Sequence, residues 1–324
     1  DKSSAETPTN YTPKNNKGTS ITVNNAKLLA DGKTVQLFLD AGFYNDSLED
    51  SIEIKNVQNV AQTATMSTVT KLLTVTDTSV PTVVAVEALG SKALRVTFSE
   101  AVLSNWTSTL SAAGTGIFDG ITFTTGVPTS GTYNAFRLDD KTLNDNGTAC
   151  TSTTSCIDNV IITYPDAGDY TKALIRFANP ISVGAHSLMV SYNGLIKDYN
   201  TTTTDGNAAN PYIMQPANYV VTVVADTTVP TLSSVEVLTQ TKVRYTFSKP
   251  VDLDTATDGA TKFFWSTAAN QTSGTFAQAA ITKVSDTVYE VSWGSAIATG
   301  NIYFYAGTAV APIRDFSGNS ISPV

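Results

Sequence analysis

The residues best suited to chemistry are oxygen-bearing and sit in turns. Asp252, Asp254 and Asp258 precede or flank Gly259 in an Asp-x-Asp-x-x-x-Asp-Gly stretch, which offers hard oxygen ligands on a bend. It matches a calcium loop only in part, because the fifth-position ligand and the terminal Glu are missing. A second group is spread through the chain: Asp77, Asp198, Asp205, Asn207 and Asp226. If domain ends bring Asp77 or Asp226 beside the 198–207 residues, a cation such as calcium would neutralise the crowded carboxylates and stiffen the joint. The plainer reading of both groups is turn chemistry, in which Asp and Asn bond their own backbone and Pro fixes the bend.

Catalysis finds less to work with. His186 is the single histidine; it precedes an alternating strand, and no Gly-x-Ser-x-Gly elbow accompanies it, so it reads as structural. Carboxylate pairs for glycoside hydrolysis could be drawn from Asp139-Asp140, Asp166 or Asp169, yet these fall among turn residues. Cys150 and Cys156 lie six apart in a polar loop. That spacing suits a small surface disulfide in an oxidising compartment, two free thiols being the alternative. Trp106, Trp265, Trp293, Tyr289, Tyr303 and Tyr305 could stack on sugars, but their alternation within strands favours core packing. Four glycan-acceptor matches begin at Asn105, Asn146, Asn200 and Asn270; in so Asn- and Thr-rich a chain they carry little weight.

Bulk composition narrows the classes. The 324 residues suit two or three domains. Charged residues make up 15%, the net charge is −8 and the pI is near 4.6. This is far from the clustered Lys and Arg that nucleic acid requires. No run approaches the apolar length of a membrane span.

An internal repeat decides the architecture. Asp77-Thr78-Ser79-Val80-Pro81-Thr82 returns as Asp226-Thr227-Thr228-Val229-Pro230-Thr231, and half of the 26 positions from Asp77 to Val102 recur at the same offset. The shared run includes Val86-Glu87, Leu89, Arg95, Thr97-Phe98-Ser99 and Val102, matched by Val235-Glu236, Leu238, Arg244, Thr246-Phe247-Ser248 and Val251. A second signature closes each unit, Ile196-Lys197-Asp198 leading to Asp205-Gly206-Asn207, and Ile313-Arg314-Asp315-Phe316-Ser317-Gly318-Asn319. Short alternating segments separated by turns, such as Leu94 to Phe98, Leu174 to Phe177, Val243 to Phe247 and Val288 to Trp293, predict strands and no sustained helix. The chain therefore divides into a flexible or donor-like tail over 1–19 and a small β domain over 20–76 that opens with a hairpin at Asp31-Gly32. A sandwich with a polar cysteine insertion follows over 77–225, and a second sandwich over 226–324 lacks its last strand. Either the parent chain continues past Val324, or an extended strand such as residues 1–19 of another copy fills the gap.

The Asp-Thr-x-x-Pro opening, the hairpin ending Thr-Phe-Ser with Val soon after, and the closing Ile-x-Asp-x-x-Gly-Asn resemble the tandem Ig-like domains of bacterial surface-layer proteins. The resemblance covers 77–324 well and the first unit weakly. It implies an all-β row of Ig-like sandwiches, calcium between domains, and a structural role in an extracellular lattice or filament. The expectation is a non-catalytic cell-surface protein whose partners are copies of itself, with cell-wall or surface glycans as further partners. The alternative is an adhesin or carbohydrate-binding stalk module of a larger secreted protein.

Overall fold

The computed structural model describes residues 1–29, 31–39, 43, 48–74, 79–104, 116–118, 121–123, 132–144, 156–165, 170–192, 196–198, 213–253, 262–270, 278–307 and 312–321. Nearly every element is a strand, and the apolar side chains gather into separate clusters along the chain. Among these residues no helix is long and apolar enough to cross a membrane.

The first cluster belongs to β1 (Tyr11–Lys14), β2 (Val23–Leu28), β3 (Val35–Leu39), β4 (Glu49–Ile54) and β5 (Val69–Thr74). β2 and β3 form the hairpin expected at Asp31-Gly32, where Gly32 takes φ +68 and Asp31 Oδ1 accepts from the Lys33 and Thr34 amides. Residues 1–19 are not the free tail that their composition suggests. Lys2–Ala5 forms one helical turn capped by Asp1, and β1 pairs antiparallel with β4. Tyr11 is buried and donates its hydroxyl to the Ala5 carbonyl at 2.6 Å. Pro13 hid this strand, since proline argues against a central strand; β1 lies at a sheet edge, where the missing N–H is tolerated.

The second unit contains β6 (Val83–Gly90), β7 (Ala93–Phe98), β8 (Val102–Ser104), β9 (Gly116–Phe118), β10 (Ile121–Phe123), β11 (Thr132–Leu138) and β12 (Lys141–Asn144). It continues with β13 (Cys156–Ile157), β14 (Val160–Thr163), β15 (Lys172–Phe177), β16 (Gly184–Val190), β17 (Ile196–Asp198) and β18 (Ala217–Val223). One sheet runs β14-β15-β7-β6 and the facing sheet β13-β12-β11-β16-β18. Between them lie Leu94, Val96, Phe98, Phe136, Leu188 and their neighbours, all buried. Four strands facing β11-β16-β18 form the Ig arrangement, with β12 and β13 added at the edge of the second sheet. Asp139 and Asp140 both adopt positive φ in the two-residue β11–β12 turn, the geometry of a tight hairpin.

The third unit contains β19 (Leu232–Thr239), β20 (Lys242–Phe247), β21 (Val251–Asp252), β22 (Phe263–Ser266), β23 (Gln278–Ser285), β24 (Val288–Trp293), β25 (Tyr303–Ala306) and β26 (Arg314–Asp315). Its main sheet runs β23-β24-β20-β19, the same order as β14-β15-β7-β6. The backbone bonds repeat as well. Ser99 N donates to Thr82 O, as Ser248 N does to Thr231 O; Val102 N donates to Tyr170 O, as Val251 N does to Asp286 O. The two sequence signatures meet in both copies: Val102 pairs with Asp198, and Val251 with Asp315. The fold is thus all-β, with tandem Ig-like sandwiches of one plan. Among the described residues β25 pairs with β22 alone, whereas β16 has both β11 and β18.

Candidate functional site

The closing signature of the third unit is a self-bonded turn. Asp315 Oδ1 accepts from the Ser317 and Asn319 amides at 2.9 and 2.8 Å, Gly318 takes φ +91, and Asn319 Nδ2 donates to Asp315 Oδ2 at 2.9 Å. Asn319 Nδ2 also donates to the Asp226 carbonyl at 3.0 Å, tying the turn to the opening signature. Lys249, just after the repeated Thr-Phe-Ser, completes the set. Its Nζ donates to Asp315 Oδ2 at 2.6 Å, to the Thr228 carbonyl at 3.0 Å and to Asp226 Oδ2. Three stretches that recur in sequence therefore converge on one ammonium.

The electrostatics follow from this geometry. The Asp315 side chain is 2% exposed, so its charge needs a partner in place. Burial opposes the Lys249 charge, but the bonds to Asp226 and Asp315 outweigh it and hold its pKa above the usual lysine value. The Lys249 hydrogen bond, helped by the Thr228 amide, lowers the Asp226 pKa.

Asp226 therefore joins the Asp315 and Asn319 turn of its own unit. Asp252 is held by Arg176 of the preceding sandwich, with Nη2 2.9 Å and Nε 3.1 Å from Oδ1. Asp198 is placed by its backbone, opposite Val102. Asp77, Asp205, Asn207, Asp254 and Asp258 lie outside the described residues, as does Trp106. Among the described residues no group of three His, Cys, Asp or Glu side chains could hold a metal ion. Cys156 is disulfide-bonded; Cys150, the other cysteine of the chain, lies outside the described residues. Trp265, Trp293, Tyr289 and Tyr305 are buried and Tyr303 is exposed, so these aromatics form core rather than a platform.

His186 bridges two acceptors. Nδ1 lies 2.7 Å from Asp139 Oδ2, and Nε2 lies 2.8 Å from the Ser182 carbonyl. Neither a carboxylate nor a carbonyl donates, so the protonated ring is the form that satisfies both contacts and ties β16 to the β11–β12 turn. Ser182 Oγ stands 3.5 Å from Nε2, but the nitrogen a base would need is bonded to the carbonyl.

Sequence reasoning overlooked the contacts between units. Arg95 pairs with Glu87 on its own hairpin, as Arg244 does with Glu236, but Arg95 Nη1 also reaches Asp286 Oδ2 at 2.5 Å across the junction. Phe316 packs with Leu89, Ala93 and Leu174 of the second unit. At the other junction Tyr170 meets Phe38 of the first unit edge to face, centroids 4.7 Å apart. Tyr170 and Asp286 occupy equivalent places, each accepting the amide of the repeated valine. The one available signal was that repeat-equivalent positions differ in type.

No family model matches the chain. A curated relative, the surface-layer 125 kDa protein of Lysinibacillus sphaericus, is 27% identical over 326 aligned residues, covering 99% of this chain. The chain resembles a surface-layer protein along almost its whole length. It spans 22% of that relative's length. Among solved structures, domains 1–6 of the surface-layer protein SbsC align over 100% of this chain and 55% of that one, at 12% identity and TM-score 0.24. A titin fragment aligns over 97% and 87%, at 11% identity and TM-score 0.21.

Proposed function

We propose that this chain is a non-catalytic, extracellular structural segment that assembles with copies of itself into a surface layer or filament on the cell. The observation that carries the reading is the duplication of one sandwich plan, down to its backbone bonds, in a chain that aligns almost completely with a surface-layer protein. Such repeats supply stiffness and repeated edges, which suits mechanical work. The triad-like group at His186 is spent on holding a turn, which supports the absence of a catalytic role. Surface glycans of the cell wall would be further partners in this reading. Immunogold labelling of intact source cells tests it: gold distributed over the envelope supports the assignment, and label confined to the interior overturns it.

Calcium belongs to the same reading, at the start of the second sandwich. At the repeat offset Asp77 corresponds to Asp226, and the closing signatures match Asp198 with Asp315 and Asn207 with Asn319. Glu100 stands where the third unit has Lys249, and Asp205 where it has Ser317. The second unit thus replaces an ammonium and a hydroxyl with two carboxylates. A divalent cation held by Asp77, Asp198, Asp205 and Asn207 would place positive charge where the third unit has Lys249. Calcium titration of the protein by isothermal calorimetry checks this; no heat of binding would remove the cation from the account.

A further inference from the structure

The end of the second sandwich is shaped for one particular loop. The β6–β7 turn carries Gly90, and a Cβ added there would lie 2.4 Å from the Phe316 carbonyl carbon and oxygen. Only glycine permits that approach. The backbone closes over it: Lys92 N donates to Phe316 O at 2.9 Å, and Ser91 N to Ser317 Oγ at 3.4 Å. The Phe316 ring enters an apolar site formed by Leu89, Ala93 and Leu174. On the flanks two cations of the second unit meet two carboxylates of the third, Arg95 with Asp286 and Arg176 with Asp252.

The corresponding end of the third sandwich lacks these features. At the repeat offset Gly90 becomes Thr239 and Ala93 becomes Lys242. Leu174, which sits opposite Arg95, becomes Glu290, which sits opposite Arg244. The receptor for a phenylalanine is replaced by a Lys242–Glu290 ion pair. Features that differ between two copies of one template, and that all serve one contact, mark that contact as specific.

We infer that the 77–225 and 226–324 sandwiches are locked into one rigid body by a docking surface on the second unit, whose partner is the Asp315–Asn319 loop with its two flanking carboxylates. Among the described residues the cations of this joint are the Arg95 and Arg176 side chains. This inference goes beyond the surface-layer reading and rests on the geometry of the joint alone.

Calorimetry and small-angle scattering on the full chain test it, with Phe316→Ala, Gly90→Val and the flanking double variant R95A/R176A. The wild type is expected to unfold both sandwiches in one transition, with and without EDTA. Phe316→Ala and Gly90→Val should each split that transition in two and broaden the distance distribution, with strand content by circular dichroism retained. The double variant, which leaves both cores untouched, should show the same split. Separate transitions for the two sandwiches in the wild type, or variants indistinguishable from wild type, would each overturn the inference.

Discussion

Arg176 projects from the second sandwich and sets its guanidinium against the Asp252 carboxylate of the third, with Nη2 2.9 Å from Oδ1. The arginine side chain is 9% exposed and the aspartate 16%, so water screens the pair far less than it would a surface bridge. Breaking it by Arg176→Ala should cost about 2 kcal/mol in urea unfolding, the range for a charge-assisted bond at a partly buried site. A double-mutant cycle with Asp252→Ala should recover most of that as coupling energy.

Lys249 is the second point of leverage. Lys249→Met removes the ammonium that donates to the buried Asp315 carboxylate. Loss of one partner from a buried pair costs roughly 3 kcal/mol. The midpoint of the transition that reports the third sandwich should fall accordingly, while strand content of the folded protein stays unchanged.

Calcium dependence can be engineered away. If the second unit needs a metal because it has Glu100 in place of lysine, then Glu100→Lys should install the arrangement seen at Lys249. Thermal melts of the wild type should drop on adding EDTA, and those of Glu100→Lys should not. Equal sensitivity in both proteins would show that Glu100 does not set the metal requirement.

Protonation of the single histidine is directly readable. Burial opposes the charge on His186, but the bonds to Asp139 and the Ser182 carbonyl win and raise its pKa above the usual value of 6.5. Asp139 is lowered on balance, the His186 and Ser187 bonds overcoming burial. A raised histidine stabilises the fold fully below about 6.5, the unfolded-state value, and loses that contribution as pH rises through the folded-state value. A lowered aspartate contributes above about 3.9 and loses its contribution as pH falls through its depressed value. The clip is therefore strongest between about pH 4 and 6.5. The imidazole proton resonance of the sole histidine should titrate above the random-coil midpoint, and His186→Gln should cost most stability inside that window.

Much of the architecture was legible because repetition supplies an internal comparison. Thr-Phe-Ser followed by valine, and the closing Ile-x-Asp, looked like two unrelated signatures; register shows them as two strands of one pairing, Val102 with Asp198 and Val251 with Asp315. The hairpin at Asp31-Gly32 followed from turn chemistry. Tyr11 to Lys14 did not, since a four-residue edge strand containing Pro13 carries almost no periodic signal. The joints between units were equally hidden. Arg95 and Arg176 have the pattern of ordinary strand residues, and only distance in space shows that their partners lie 191 and 76 residues away. Asp252 drew attention as a ligand because carboxylates in a turn look alike in sequence whether a metal or an arginine faces them.

Assembly itself is the most direct test of what the chain is for. Electron microscopy of the purified protein in calcium, and again after chelation, reads it without assumptions about any single residue. The account predicts ordered sheets or filaments in calcium that loosen at the first-to-second junction when it is removed. Separate, uniform particles at every protein and calcium concentration would contradict it.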